Sequence, residues 1–288
     1  MIVVTGATGQ LGRAIVEYLV RRVPPAQVAV SVRDPQKAQE LEALGVRVRR
    51  GDFAAPDGLV HAFEGASQLM LVSSNARAYG GDTLGQHRAA IEAARAVGAK
   101  RIVYTSHMAA SASSAFAPML DHAATEDMLG ASGLPWTALR NGFYASSGVA
   151  QLGDAPRVGV LEVPQDGKVS WTAHADLAEA AAIVLTTQSG FAGPTPPLTG
   201  ADALDLGEVA AMAGEITGRA IERRTIDDDE LRRRLSERGV PARGAEVALG
   251  FFRASRAGEF QAINPALPRL LGRPPTSMKD VLRQRLVG

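Results

Sequence analysis

The sequence of 288 residues contains no cysteine. Disulfides, thiolate metal sites and a cysteine nucleophile are therefore excluded. The formal net charge is only +1 at pH 7, so no global field favours nucleic acid or an anionic membrane. No apolar run is long enough to span a bilayer, and no signal peptide is predicted at the amino terminus. These absences favour a cytoplasmic protein that acts on small molecules.

The first twelve residues carry the strongest positive signal. Ile2 to Val4 form a β-branched run typical of a strand buried on both faces, and Gly6, Gly9 and Gly12 follow at three-residue spacing. Apolar residues then recur at helical period. Glycines let a backbone approach phosphates, and a helix N terminus offers free N–H groups to negative charge. The strand, turn and helix therefore predict a dinucleotide-binding site.

Strand-like and helical segments alternate through the first half of the chain, which is the βαβ rhythm of a parallel sheet. The alternation predicts an α/β fold with a doubly wound sheet of the Rossmann type and strand order 3-2-1-4-5-6. The six predicted strands are residues 2–4, 28–32, 46–49, 69–72, 102–105 and 136–139.

The rhythm breaks beyond Arg140, and the run from Gly190 to Pro197 has the glycine and proline content of a linker. We expect a dinucleotide-binding domain over residues 1–150, with a helix at 176–187 that packs back on it. Residues 190–288 are expected to form a smaller, mostly helical unit that binds substrate. Its predicted elements are a helix at 205–217, capped by Asp205 and Glu208, a strand at 220–226 and helices at 228–238, 245–256 and 277–286.

Arg33 lies at the end of predicted strand two, where a dinucleotide fold faces the adenosine ribose. An acidic residue at this position binds the 2′-hydroxyl, whereas an arginine accommodates a 2′-phosphate. Arg33 therefore predicts NADPH as the cofactor, and the adjacent Asp34 leaves NADH open. The alternative is a solvated arginine at a strand end.

Polar segments also follow predicted strands three and four. Asp52 is placed to accept a hydrogen bond from the adenine amino group, with Phe53 against the ring. The alternative for Asp52 is a turn aspartate that caps local backbone. Ser73, Ser74 and Asn75 lie at the carboxyl edge of the sheet, where ligands bind in such folds. Their small polar side chains suit ribose and phosphate contacts as well as an ordinary turn.

A common acid–base pair is missing. Many carbonyl reductases of this fold place a tyrosine four residues before a lysine, which lowers the pKa of the phenol for proton transfer. At that distance from the four tyrosines the sequence has Arg22, Thr83, Met108 and Gly148. A ketone reduced by hydride becomes a strongly basic alkoxide, whereas a quinone becomes a far less basic phenolate-type ion. The sequence therefore favours hydride transfer to an electron-poor conjugated acceptor, or no chemistry at all.

Motifs along nearly the whole chain support this interpretation. They are Thr5–Gly12, Val32–Pro35, Gly51–Phe53, Tyr104–Ser106, His122–Glu126 and Leu139–Tyr144, followed by Gly167–Val169 and Ala175–Leu177. Together they resemble the NmrA-like atypical short-chain dehydrogenases, most closely the type 2 NAD(P)H:quinone oxidoreductases, with triphenylmethane dye reductases beside them.

The resemblance implies roles for individual residues. The pyrophosphate would be held by Gly6, Ala7, Thr8, Gly9, Gln10 and Leu11, the 2′-phosphate by Arg33 and the middle of the cofactor by Ser73, Ser74 and Asn75. The nicotinamide and acceptor would be flanked by Tyr104, Thr105 and Ser106 and by Asn141, Gly142, Phe143 and Tyr144. The catalytic candidates are Tyr104, His122 and Asn141.

His122 falls where lysine-bearing relatives carry their lysine. The resemblance implies a hydrogen bond from His122 to the nicotinamide ribose or the acceptor, with proton donation as a further option. The alternative is a helix histidine held by Glu126. His87 has two interpretations as well, a position facing the cofactor cleft or one on the surface. Phe143 and Tyr144 either stack on a planar acceptor or belong to the core.

We therefore expect an NADPH-dependent enzyme that passes hydride directly to a quinone, as a monomer or homodimer. No histidine or carboxylate spacing predicts a metal site, and no nucleic-acid or membrane partner is predicted. Two alternatives stay open. One is a redox sensor that binds the dinucleotide without turnover, and the other is a triphenylmethane dye reductase.

Overall fold

The computed structural model describes residues 1–187 and 191–287, and within them the chain forms eleven β-strands. In chain order these are β1 (Ile2–Thr5), β2 (Val28–Val32), β3 (Arg47–Arg50), β4 (Gln68–Leu71), β5 (Arg101–His107), β6 (Trp136–Asn141), β7 (Phe143–Tyr144), β8 (Val160–Pro164), β9 (Trp171–Thr172), β10 (Gly193–Pro194) and β11 (Glu222–Ile226). Seven of them form one sheet in the order β10-β6-β5-β4-β1-β2-β3. The remaining four form two parallel pairs, β8 with β11 and β7 with β9.

The large sheet confirms the predicted doubly wound topology. β1 is central and pairs in parallel with β2 and β4, so that Ile2 lies opposite Val28 and Gln68. All four residues of β1 are buried, as a strand covered on both faces requires. β10 extends the sheet beside β6 and was not predicted. Its two residues are Gly193 and Pro194, and such residues indicate a turn or linker unless an edge position tolerates them.

Thirteen α-helices lie in the described ranges. They are α1 (Gln10–Leu19), α2 (Gln39–Ala43), α3 (Leu59–Phe63), α4 (Thr83–Ala96), α5 (Ala117–Ala131), α6 (Ala145–Gln151), α7 (Ala155–Val158), α8 (His174–Thr186), α9 (Leu206–Thr217), α10 (Asp228–Glu237), α11 (Ala242–Arg256), α12 (Ala266–Leu271) and α13 (Met278–Leu286). Short 3₁₀ turns at Pro35–Ala38 and Pro56–Gly58 precede α2 and α3. Each begins with proline, whose fixed φ suits the first helical position.

The described residues divide into two compact units. The first comprises those of Met1–Ala110, Asp121–Arg140 and His174–Pro196. One apolar cluster fills its core beside α3 and α4, with Phe63, Leu71 and Ile102 fully buried. Each such side chain contributes about 1.5–3 kcal/mol by leaving water. Helix α8 packs against α1, and Gln68 Nε2 donates to the carbonyl of Leu185 at 3.0 Å.

The second unit comprises the described residues of Ser111–Leu120, Asn141–Ala173 and Pro197–Gly288. The predicted capping box of α9 is confirmed, because Asp205 Oδ1 accepts from the Glu208 N–H and Glu208 Oε2 accepts from the Asp205 N–H. The predicted strand and helices of this region are also present as β11, α10, α11 and α13. Helices α6 and α7 were not predicted, because they are short and contain several small residues. Strand β8 was not predicted either.

The division into domains at residues 150 and 190 stays a prediction, and Gly190 lies outside the described residues. In the part of the chain that the structure describes, no helix combines the length and apolar character needed to cross a membrane.

Candidate cofactor-binding and active site

The glycine turn between β1 and α1 owes its shape to close backbone packing. Gly6 has φ +61°, a left-handed conformation that other residues adopt rarely. The Gly9 N–H donates to the Gly6 carbonyl at 3.0 Å. A Cβ on Gly12 would lie 2.3 Å from that same carbonyl oxygen, far inside van der Waals contact. Gly6 and Gly12 are therefore geometric requirements of this turn, whereas a Cβ on Gly9 would make a tight contact of 3.3 Å with the Gly6 oxygen.

The N terminus of α1 is open to an anion. Its N-cap is Gly9, no side chain caps the helix, and no acidic residue lies in its first turn. Gly6, Thr8, Gly9 and Gln10 are exposed, whereas the side chains of Ala7 and Leu11 are buried and leave only their backbone for a ligand. A positive helix end with uncapped N–H groups fits a pyrophosphate.

At the end of β2, the side chain of Arg33 is open to a ligand, whereas that of Asp34 is engaged in a local hydrogen bond. Arg33 is exposed, and its guanidinium forms no hydrogen bond or ion pair with residues 1–187 or 191–287. Asp34 instead caps the following turn, with Oδ1 accepting from the Gln36 N–H at 3.1 Å. This pair fits a cofactor whose ribose carries a 2′-phosphate better than one with a free 2′-hydroxyl.

Asp52 forms the local hydrogen bond that is expected of a turn aspartate. Its Oδ1 accepts from the Ala54 N–H at 2.9 Å, so the carboxylate caps its own turn. Phe53 packs against the core cluster of the first unit. A contact of either residue with adenine stays a prediction.

Side chains from three elements hold the segment that leaves β4. Three consecutive N–H groups donate to them at 2.8–2.9 Å: Val72 to Thr5 Oγ1, Ser73 to Thr105 Oγ1 and Ser74 to His87 Nε2. The side chains of Ser73 and Asn75 form no hydrogen bond within the described chain. His87 is buried rather than on the surface. The backbone of this segment is thus fixed, and the side chains of Ser73 and Asn75 are free for a ligand.

Tyr104 and His122 form a pair in the first unit. The phenol oxygen lies 2.8 Å from Nδ1 of His122, and the ring of His107 stacks on that of His122 at 6.1 Å. Burial, together with a smaller effect of the nearby His87 and against an opposing effect of Asp121, lowers the pKa of His122 to about 3. His122 is therefore neutral at physiological pH. The alternative that Glu126 holds His122 is wrong, because Glu126 has other partners.

Glu126 forms a buried network that the sequence did not predict. Ser106 Oγ donates to Glu126 Oε1 at 2.6 Å, and Arg140 donates to both carboxylate oxygens at 3.0 and 2.6 Å. This carboxylate raises the pKa of the Arg140 guanidinium. Because the hydroxyl proton of Ser106 is donated to Glu126, Ser106 could contact a cofactor only as a hydrogen-bond acceptor. No local motif signals Arg140, which lies fourteen residues beyond Glu126.

Asn141 and Gly142 belong to the second unit. Asn141 is buried, and its Oδ1 accepts no hydrogen bond from any described residue. A buried acceptor without a donor is costly, which fits a residue that binds the amide or hydroxyl of a ligand. A Cβ on Gly142 would lie 2.2 Å from Thr172 Oγ1, so internal packing explains this glycine.

Phe143 joins an aromatic cluster within the second unit. Its ring centroid lies 5.1–5.9 Å from those of Phe116, Trp171, Phe251 and Phe260. Phe116 and Phe143 are half-buried and the other three are buried. The interpretation of Phe143 as a core aromatic therefore has structural support, while its half-exposed ring still offers a surface to a planar molecule. Burial raises the pKa of Tyr144 to about 12, against a smaller effect of the Asn141 hydrogen bond.

Metal ligands do not converge in the described ranges, where no group of three or more histidine, aspartate or glutamate side chains is arranged to hold an ion. Several titratable side chains of the first unit are instead paired with one another, as in Tyr104 with His122 and Glu126 with Arg140.

The doubly wound sheet, the open glycine turn and Arg33 define a dinucleotide-binding protein of the Rossmann class. Residues 6–188 match the family described as NAD(P)H-binding. The chain belongs to this family, as its motifs predicted.

Similar proteins match nearly the full length of the chain. Quinone oxidoreductase 2 of Escherichia coli (strain K12) is 36% identical over 282 residues, which cover 97% of this chain and 96% of that protein. The solved structure of the Escherichia coli NADPH-dependent quinone oxidoreductase with NADPH has a TM-score of 0.91, 34% identity and 99% coverage of both chains. The Citrobacter sp. triphenylmethane reductase with NADP(H) has a TM-score of 0.88 and 32% identity, covering 99% of this chain and 100% of the other. The predicted fold class and family resemblance are confirmed.

Proposed function

We propose that the protein is an NADPH-dependent reductase that transfers hydride directly to a quinone or a similar planar conjugated acceptor. The observation that carries this proposal is an exposed, uncapped glycine turn in a sequence where no tyrosine is followed four residues later by a lysine. Met108 stands four residues after Tyr104, where an activating lysine would lie. The likeness to the quinone oxidoreductase of Escherichia coli supports the same class of acceptor.

The residues of the first unit fit NADPH in three places. The turn from Gly6 to Gln10 and the N terminus of α1 would hold the pyrophosphate, and Arg33 the 2′-phosphate. The side chains of Ser73 and Asn75 would contact the middle of the cofactor. When bound, NADPH supplies the hydride. The protein then has to position the cofactor and exclude water, which can provide a large part of a rate enhancement.

His122 would orient the cofactor or the acceptor by a hydrogen bond rather than donate a proton to the acceptor. A neutral imidazole hydrogen-bonded to a buried phenol can donate or accept one further hydrogen bond. It is a poor proton source at physiological pH, since its protonated form has a pKa of about 3. This suits an acceptor whose reduced form is a weakly basic phenolate-type ion. Contacts of Asn141, Gly142, Phe143 and Tyr144 with the nicotinamide or acceptor are part of the proposal.

Assays of NADPH oxidation with different acceptors test the function. We expect turnover with quinones and none with an isolated aliphatic ketone, because the ketone needs a proton donor. A protein that binds NADPH but shows no acceptor-dependent rate would instead be a redox sensor.

Reduction of triphenylmethane dyes is a second candidate. The likeness to the Citrobacter sp. triphenylmethane reductase supports it, and a cationic dye needs no proton when it accepts hydride. Decolourisation of the dye by NADPH and protein measures this activity. A cytoplasmic location and a monomeric or homodimeric state stay predictions.

A further inference from the structure

His87 holds the backbone of the segment predicted to contact the cofactor. It lies on α4 and is 1% exposed. Its Nε2 is 2.8 Å from the backbone nitrogen of Ser74, which can only donate. The second ring nitrogen, Nδ1, is 2.8 Å from Thr125 Oγ1. A histidine with both ring nitrogens engaged is fixed in position and orientation.

The hydrogen bonds also assign the form of the ring. Because Ser74 donates its N–H, Nε2 must carry the lone pair and Nδ1 the proton. Thr125 therefore accepts from His87, and its own hydroxyl proton goes to the carbonyl of Asp121 at 2.7 Å. Burial lowers the pKa of His87 to about 4, against a weaker opposing effect of the Asp121 carboxylate. The neutral Nδ1–H form is thus the stable one at physiological pH.

Neighbouring contacts anchor the same segment on both sides of Asn75. Ser74 Oγ donates to Gln86 Oε1 at 2.5 Å and accepts from the Ala76 N–H at 3.1 Å. The guanidinium of Arg77 pairs with the buried carboxylate of Asp121 through two hydrogen bonds. The side chains of Ser73 and Asn75 keep no such partner in the described part of the chain. The segment is therefore held by its neighbours while two polar side chains stay available.

We propose that His87 is a positioning residue for NADPH, acting through the Ser74 N–H to hold Ser73 and Asn75 in the conformation that contacts the cofactor. This inference rests on the proposed function. Loss of the acceptor at Nε2 leaves the Ser74 N–H without its partner. The segment then loses one of the bonds that fix its conformation, and cofactor binding has to order it at Ser74. The cost falls on NADPH affinity rather than on the chemical step.

Two substitutions of His87 separate positioning from packing. In His87→Gln the longer side chain can bring its amide oxygen to the place of Nε2 and keep the bond to Ser74. In His87→Asn the amide reaches only the place of Nδ1, so the bond to Ser74 is lost. Fluorescence titration with NADPH should give a Kd raised about tenfold for His87→Asn and less than about threefold for His87→Gln. The kcat at saturating NADPH should change little in either.

Thermal unfolding of both variants controls for a structural effect. Both substitutions remove the buried imidazole ring. If the loss of affinity came only from lowered stability, it would therefore be similar in the two variants. Equal Kd values for His87→Asn and His87→Gln would overturn the proposal. If His87→Asn does not fold, Thr125→Val decides, because it removes the partner of Nδ1 and should raise the Kd about threefold. An unchanged Kd there would also overturn it. Failure of the wild-type protein to bind NADPH would instead refute the proposed function.

Discussion

Tyr104 and His122 share a hydrogen bond, with 2.8 Å between the phenol oxygen and Nδ1, and no lysine follows Tyr104 at the activating distance. We therefore expect Tyr104 to hold His122 in position rather than to donate a proton to the acceptor. We expect Tyr104→Phe to lower quinone-dependent kcat by less than about tenfold, the effect of one lost neutral hydrogen bond. Steady-state assays at saturating NADPH measure this. A loss of about a thousandfold or more would show that the phenol donates a proton.

Acid should destabilise the protein through His122, whose pKa is lowered by its surroundings in the folded state. Folded His122 has a pKa of about 3 and stays neutral, whereas an unfolded histidine with a pKa of about 6.5 takes up a proton. Below pH 6.5 the unfolded state therefore binds more protons, and the free energy of unfolding falls as the pH falls. Above pH 6.5 both states are neutral and this effect vanishes. We expect His122 to lower the free energy of unfolding by about 1 kcal/mol between pH 7.5 and pH 5.5.

Urea unfolding of the wild type and of His122→Gln at pH 7.5 and 5.5 measures that contribution. The variant should lose less stability on acidification than the wild type. The same pH dependence in both proteins would mean that the pKa of His122 is not lowered. In addition, His122→Ala should slow turnover or weaken cofactor binding, and an unchanged variant would reduce His122 to a packing residue.

Arg33 should determine the choice between the two coenzymes. Its exposed guanidinium has no partner among the described residues, and it lies at the end of β2, where we propose that the 2′-phosphate binds. We expect Arg33→Ala to raise the Kd for NADPH about 10- to 100-fold, the value of a hydrogen bond between charged groups. The Kd for NADH should hardly change. Titration with both coenzymes gives the ratio, and equal losses would remove Arg33 from the phosphate site.

Gly12 should tolerate no side chain. In Gly12→Ala the new Cβ would lie 2.3 Å from the Gly6 carbonyl oxygen, so backbone has to move in the predicted phosphate site. We expect NADPH affinity to fall at least about tenfold. Gly130→Ala, within helix α5, is the matched control. The nearest atom to its new Cβ would be a ring carbon of Trp136 at 3.8 Å, an ordinary van der Waals distance. That change should leave affinity unaltered and stabilise the helix by up to about 1 kcal/mol. Normal NADPH binding by Gly12→Ala would contradict the account.

The sequence predicted those features that depend on neighbouring residues. The β-branched run at Ile2, the glycine spacing up to Gly12 and the capping box at Asp205 are local patterns with one physical solution each, and the structure contains them. The strand order followed because parallel strands joined by helices have a restricted topology.

Contacts between distant residues escaped prediction. Arg140 and Glu126 pair across fourteen residues, and His87 binds the backbone of Ser74 from another element. Nothing in the local sequence distinguishes a buried, paired histidine from an exposed one. Strand β10 was missed for a different reason, because its glycine and proline are typical of linkers.

The central claim is that NADPH bound by this protein passes hydride directly to a quinone without a proton from an activated tyrosine. A rapid-mixing measurement of NADPH oxidation by a quinone, with ordinary NADPH and with NADPH deuterated at C4, tests it most directly. We predict a quinone-dependent rate that deuterium slows and that varies little between about pH 6 and 8. NADPH binding without any quinone-dependent rate would contradict it.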